Sequence, residues 1–302
     1  MKEILAIGGT GAQGTPVVHS LSSSKRFAVR VLTRNAKSEC AQLLAALPNV
    51  TLIEGRQDSQ QDLHRAFRGV FGACVNTHGF TIGEKNERYY GFRAYEIARH
   101  EGVQHYIYAA TDYALKDANW DEKYHWGHND AKGRGAEFIL AQGQSGMKAS
   151  ILTTDAGKLP LIALEDVGPY ALWMLDNPGE SAGLHLKVAT DEITFTDVAK
   201  TFTEVTGKKG IHKLISIEEA LDLGEPFPGA MANWAAGPDA VKDDSTMTLL
   251  LGGCTGSLRE WMEKVKYDGQ PRTVLKGLED LKRAAAEAQA QGEAQAQAQA
   301  QA

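Results

Sequence analysis

The run Ile4-Leu5-Ala6-Ile7 leads directly into Gly8-Gly9-Thr10-Gly11-Ala12-Gln13-Gly14 and then into an apolar stretch with Val17, Val18 and Leu21 at helical spacing. No other part of the chain constrains the fold as tightly, because it reads as a strand, a glycine turn and a helix start. A backbone that must come within hydrogen-bonding range of a pyrophosphate cannot carry β-carbons there. The helix that follows offers free N–H groups and the positive end of its dipole. The unit therefore predicts a dinucleotide-diphosphate site. Its G-x-x-G-x-x-G spacing is less common than G-x-G-x-x-G and by itself is compatible with a plain tight turn. The preceding strand, the following helix and a second strand at Phe27 to Thr33 favour the nucleotide.

The end of that second strand discriminates between cofactors. A carboxylate there would hold a ribose 2′-hydroxyl and repel a 2′-phosphate, whereas this chain has Thr33-Arg34-Asn35 with Lys37 nearby. Arg34 offers a planar fork of donors matched to a phosphate, so NADP(H) is expected over NAD(H). The competing reading is a solvated surface arginine.

Strand-like and helical runs then alternate: Val50 to Glu54, a helix from Ser59, Gly72 to Thr77, a helix over Glu84 to His100, His105 to Ala110, a helix over Asp130 to Gln142, and Lys148 to Thr154. Such alternation predicts an α/β protein with a Rossmann-like, doubly wound parallel sheet. Ser59, with Asp62 three residues on, reads as a helix N-cap. Past Thr154 the alternation weakens. A helix ending at Pro178-Gly179, a strand over Gly183 to Val188, and helices over Thr196 to Gly207, Ile217 to Leu223 and Cys254 to Lys266 suggest a small, mostly helical cap. A Pro/Gly-rich connection, Gly224 to Gly237, separates the last two helices. The expected division is a nucleotide-binding unit at 1–154, a smaller substrate region at 155–270 partly interleaved with the sheet, and a C-terminal helix with an Ala/Gln-rich tail at 271–302. Ala284 to Ala302 has high helix propensity but no apolar stripe to dock.

The chain has 302 residues, 43% of them hydrophobic, with a formal net charge of −6. Direct nucleic-acid binding is not expected, since it would need clustered Lys and Arg. No apolar run is long enough to suggest a membrane span. Met1-Lys2-Glu3 passes straight into the first strand, so a signal peptide is not expected. Cys40, Cys74 and Cys254 lie far apart with neither C-x-x-C nor metal-ligand spacing. They read as structural thiols in a reducing compartment, no metal site is expected, and the expected location is cytoplasmic.

These residues resemble the NmrA-like family, the atypical extended short-chain dehydrogenase/reductases. The resemblance runs over residues 3 to 268. It is carried by the glycine turn, Val31-Leu32-Thr33-Arg34-Asn35, Val75-Asn76-Thr77, His128-Asn129-Asp130-Ala131-Lys132 ahead of Glu137-Phe138-Ile139, Leu161 to Gly168, and Val205-Thr206-Gly207-Lys208-Lys209. It implies that Gly8, Gly9, Thr10, Gly11, Ala12, Gln13 and Gly14 wrap the diphosphate. Arg34, Asn35 and Lys37 would meet the adenosine phosphate, and Gln57 and Asp58 would approach the adenine. Thr77 and His78 would line the nicotinamide side, and Lys132 would bond the nicotinamide ribose. An ammonium there orients the ring and depresses the pKa of a neighbouring acid.

Two departures stand out. Short-chain dehydrogenases use Tyr-x-x-x-Lys, in which the tyrosine protonates a carbonyl oxygen, yet no such pattern occurs here and His128 holds the tyrosine position. His128 reads either as a substitute acid or as a solvated or capping histidine. Tyr113, just past the fifth strand, is a second candidate donor or else a packing residue. The other departure is length. Thr154 is followed only by Asp155 to Pro160 where the family carries a longer stretch, which implies a more open substrate cavity. Two functions fit: an NADP-dependent oxidoreductase acting on a small carbonyl, imine or quinone-like substrate, with Lys132, His128 and Tyr113 as its catalytic candidates; or an NADP(H) sensor and transcriptional co-regulator working through a protein partner, in which case a nuclear location is also expected.

Overall fold

The computed structural model describes residues 1–143, 146–153, 159–213, 216, 218–219 and 256–270. Nine strands, ten α-helices and two 3-10 turns, Glu122–Tyr124 and Leu164–Asp166, are defined among the described residues. The first half runs β1 (Lys2–Ile7), α1 (Gly14–Ser23), β2 (Phe27–Thr33), α2 (Glu39–Ala45), β3 (Val50–Glu54), α3 (Gln60–Phe67), β4 (Gly72–Val75), α4 (Gly79–His100) and β5 (His105–Ala110). It continues with α5 (Ala114–Asp117), α6 (Gly127–Ala141), β6 (Lys148–Thr153), β7 (Leu159–Leu161), α7 (Val167–Asp176), α8 (Pro178–Ser181), β8 (His185–Lys187), β9 (Asp191–Ile193), α9 (Phe195–Thr206) and α10 (Leu258–Lys264).

Seven strands form one parallel sheet in the order β3-β2-β1-β4-β5-β6-β8, while β7 and β9 pair antiparallel as a separate ribbon. The strands are near-continuous apolar runs because helices cover both faces. Alternation along each strand sorts the side chains into two cores. Leu5 and Ile7 of β1, Ala73 and Val75 of β4, and Tyr106 and Tyr108 of β5 pack with Phe67, Tyr95 and Ile139. Ile4, Ala6, Cys74 and Ile107 point the other way and pack with Val18, Tyr170 and Met174. The sheet therefore takes α7 and β8 from beyond residue 154 into its own second core.

The strand order reverses between β1 and β4, opening a crevice at their carboxyl ends, where doubly wound sheets bind ligands. Two helices close over the same end. α4 and α6 approach closely because Gly91 and Gly135 face the buried Tyr108 hydroxyl from either side; a β-carbon on either would lie 2.9 or 2.7 Å from that oxygen. α4 is broken at Gly83 (φ 74°), so its main segment begins at Glu84, as the sequence pattern predicts, and a separate turn, Gly79 to Ile82, precedes it.

Several predicted ends shift by a residue or two, as helix termini commonly do. Ser59 caps α3 by accepting from the Asp62 amide at 3.3 Å. The helix expected to reach Pro178-Gly179 stops at Asp176, and Pro178 opens the separate turn α8. Thr154, Ile217 and 220–223 of the predicted helix Ile217 to Leu223, Gly224 to Gly237, Cys254 and the Ala284 to Ala302 tail lie outside the described residues. So do most positions of the short stretch after Thr154.

Candidate nucleotide site

The glycine turn sits at the carboxyl end of β1. Gly8 has φ +78°, and a β-carbon there would strike the Asn76 carbonyl oxygen at the end of β4. One on Gly14 would strike the Gly8 backbone, and one on Gly9 would come within 2.9 Å of Val31 Cγ1. The Gly11 amide donates to Gly8 O and the Thr15 amide to Gly11 O, each at 2.9 Å, so the turn winds directly into α1. No acidic side chain occupies the first turn of α1 and no side chain caps it, which leaves the positive end of the helix uncompensated. Thr10, Gly11 and Ala12 are half-buried and Gln13 is exposed. Cys40 buttresses the turn from behind, its Sγ 3.4 Å from Thr10 O.

From Gln13 a chain of side chains runs inward. Asn76 Nδ2 donates to Gln13 Oε1 at 2.9 Å, and Lys132 Nζ, from α6, donates to Asn76 Oδ1 at 2.5 Å. Lys132 Nζ also lies 4.0 Å from Oε1 of Glu87 on α4, a carboxylate with no solvent exposure. That oxygen accepts from Thr77 Oγ1 at 2.9 Å, and the other faces Gly79, where a β-carbon would collide with it. Burial pushes Glu87 up, opposed by the Lys132 charge, the Thr77 hydroxyl and the Gly79 amide. Burial pushes Lys132 down, opposed by Glu87. Burial thus disfavours the charged form of each group, and the opposite charge of its partner works against that.

The adenosine-side candidates lie on the loops after β2 and β3. Arg34, Asn35 and Lys37 are exposed. Asn35 Oδ1 accepts from the Lys37 amide at 2.9 Å, so this side chain shapes its own turn. Asp58 is gripped by both arms of Arg56, at 2.9 and 2.7 Å, and that bond, aided by the more distant Arg34 charge, holds its carboxyl below the usual range. Gln57 Nε2 reaches His78 O at 3.5 Å, linking the ends of β3 and β4.

His128 and Tyr113 diverge. His128 lies beside Gly79, edge-on to Trp126 with ring centroids 5.6 Å apart. Burial, then the charges of Lys132 and His78, lower its pKa to about 4, so it is neutral at physiological pH. Tyr113 turns its hydroxyl to Arg134, whose Nε donates at 2.6 Å and whose second nitrogen also bonds it. Residues 132 and 134 project about 200° apart around a helix, so this contact draws the hydroxyl to the side of α6 away from Lys132. Asp130 instead organises the loop before α6, accepting from the Leu115 amide at 2.9 Å and the Trp126 amide at 2.7 Å. Burial pushes its carboxyl up.

Under the turn, on the α1 and α7 side of the sheet, is an apolar cavity of about 50 Å³ reached by Gln13, Asn76, Ala109, Ala110, Val167 and Val188. Close by, Asp112 and Lys187 form a buried ion pair at 3.2 Å that ties the end of β5 to β8.

The structure brings together the glycine turn, Thr77, His78, His128 and Lys132. Arg34, Asn35 and Lys37 stand on the exposed rim beside Asp58, and Tyr113 is turned away. Sequence reasoning assigned no role to Asn76, although it lies in the matched Val75-Asn76-Thr77 segment. It missed Glu87, which is embedded in Glu84-Lys85-Asn86-Glu87-Arg88 and reads as a solvated helix face.

Fold and turn define a Rossmann-like α/β protein whose glycine turn packs so closely on its own backbone that β-carbons at Gly8 and Gly14 would strike Asn76 O and Gly8 O. A model of the NmrA-like family matches residues 1–132 and 139–244, and the chain belongs to that family. It is 37% identical over 120 residues to an NmrA-like family domain-containing oxidoreductase of Aspergillus japonicus, covering 38% of this chain and 36% of that relative. This match therefore spans about a third of the relative's length. Among solved structures, the NADP complex of NmrA, a negative transcriptional regulator, superposes with a TM-score of 0.62 at 18% identity, covering 90% of this chain and 92% of that one. The Citrobacter sp. triphenylmethane reductase complexed with NADP(H) gives 0.65 at 19% identity, covering 86% and 99%. At these identities the likeness establishes the fold.

Proposed function

We propose that the chain is an NADP(H)-binding oxidoreductase acting on a small carbonyl, imine or quinone-like substrate. The observation that carries this reading is the continuous hydrogen-bonded path from Gln13 of the glycine turn through Asn76 to the buried Lys132. It links the Lys132 ammonium to the glycine turn that would hold the diphosphate. The oxidoreductase naming of the family relatives and the NADP(H) bound to both fold neighbours support the reading.

Gly8, Gly9, Thr10, Gly11, Ala12, Gln13 and Gly14 would hold the diphosphate, Arg34 with Asn35 and Lys37 the adenosine phosphate, Gln57 and Asp58 the adenine side, and Thr77, His78 and Lys132 the nicotinamide half. When bound, the cofactor supplies a hydride. Lys132 would orient the ribose through Nζ. Glu87, buried against it, is the positioning group that holds the Lys132 side chain and its charge in place. His128, neutral at physiological pH, contributes polarity to the wall and not an acidic proton.

A second reading, a cofactor sensor acting on a protein partner, is favoured by one observation: neither His128 nor Tyr113 offers an acid beside Lys132. The experiment that separates the two is a screen of NADPH oxidation against carbonyls, imines and quinones, with NADPH binding measured independently. Turnover with any acceptor supports the enzyme. Binding without turnover, together with cofactor-dependent association with a partner, supports the sensor. Absence of cofactor binding overturns both.

A further inference from the structure

Toward the amino ends of the strands, away from the glycine turn, α3 and the end of α4 bring three metal-ligating side chains to one point. His64 Nδ1 is 2.7 Å from Glu101 Oε1, and His100 Nδ1 is 3.5 Å from the same oxygen. The two imidazoles meet edge-on with centroids 5.3 Å apart, and the three ligand atoms lie within 4.8 Å of one another. We propose that His64, His100 and Glu101 form a binding site for a divalent transition-metal ion of the zinc class.

The donor set argues for that class. Two imidazole nitrogens and one carboxylate oxygen suit zinc, whereas calcium and magnesium seek shells of oxygens. Ligand bonds of about 2.0 to 2.2 Å in tetrahedral array place neighbouring ligand atoms about 3.3 to 3.5 Å apart. The His100 to Glu101 distance already matches, and the His64 to Glu101 pair has to open by about 0.6 Å. Glu101 is the residue that follows His100, the last residue of α4. Arg68 approaches the other carboxylate oxygen, Oε2, at 3.7 Å and leaves Oε1 to the histidines. The His100 side chain is 74% exposed, so the fourth ligand position opens to water. An ion there joins α3 to the end of α4 across the 36-residue interval between the two histidines, which is why no linear spacing announces the site. The main α4 segment, Glu84 to His100, separates the site from the nucleotide cradle by roughly 24 Å, at 1.5 Å per residue.

The test uses the full chain stripped with a chelator and titrated with zinc chloride by calorimetry, with cobalt(II) as a visible-absorption reporter of tetrahedral geometry. The expected result is one saturable equivalent, unaffected by excess magnesium, that raises the melting temperature. His64→Ala and His100→Ala should each weaken it by about tenfold or more, since even supporting groups of a metal site cost that much. His100→Ala removes an exposed side chain and leaves the fold intact, so it keeps the test decisive should His64→Ala misfold. NADPH affinity should be the same with and without zinc. Failure to bind one equivalent, or equal binding by a His64→Ala/His100→Ala double variant, would overturn the site.

Discussion

Lys132 Nζ stands 4.0 Å from Glu87 Oε1, with the carboxylate fully buried and the lysine side chain 10% exposed. Removing one member of a buried ion pair leaves the other charge uncompensated, which typically costs about 3 to 5 kcal/mol. Glu87→Gln keeps an acceptor for Thr77 but deletes the charge, so a loss near the lower end, about 3 kcal/mol, is expected in urea unfolding at pH 7. The loss should shrink at alkaline pH, where Lys132 sheds its proton, and in the Glu87→Gln/Lys132→Met double variant, which removes both charges. Equal unfolding midpoints for native and Glu87→Gln protein at pH 7 would show that the pair contributes nothing.

Why this pair is hidden from sequence reasoning follows from where its information lies. The glycine turn, the Ser59 cap and the parallel strands are written in local spacing, and they form where the spacing puts them. Lys132 is visible only through a family motif. Glu87 carries no local signal at all: its burial is decided by the break at Gly83, which sets the direction of the main α4 segment, and by α6 closing over that segment through Gly91 and Gly135. The turn of Tyr113 toward Arg134 is likewise a tertiary outcome, because both residues are ambiguous when read one at a time.

Arg34 gives the sharpest test of cofactor choice. A charged contact to a phosphate contributes roughly 1.5 to 3 kcal/mol, so Arg34→Ala should weaken NADPH binding about ten- to a hundredfold and barely change NADH. Fluorescence titration of both cofactors measures it. An equal loss for the two would remove Arg34 from the phosphate site.

Acid should unfold the chain earlier than its carboxylates alone require. Burial lowers both His105 and His128 from the ordinary imidazole range to about 4. Between pH 6.5 and 4 the unfolded chain takes up these protons and the folded chain does not. The stability they contribute is fully present above pH 6.5 and is lost as pH falls through 4, up to about 3 kcal/mol for each imidazole. His105→Gln and His128→Gln should each flatten the fall of the urea midpoint over this window. An unchanged slope in both would show that these imidazoles titrate normally.

The division of labour around Lys132 is tested at saturating NADPH, where binding losses no longer count. Lys132→Ala should then reduce turnover far more than Arg34→Ala, because the proposed function has the lysine act at the reacting half of the cofactor and the arginine at its distant phosphate. Tyr113→Phe should leave turnover nearly unchanged, since its hydroxyl is committed to Arg134. His128→Phe should cost little at pH 7, where an imidazole with a pKa of about 4 is only about one-thousandth protonated. Glu87→Gln should slow turnover and displace its pH profile, because Lys132 then loses its counter-charge. If Tyr113→Phe or His128→Phe instead lowers turnover as severely as Lys132→Ala, the proton comes from that residue, and Glu87 serves only the fold.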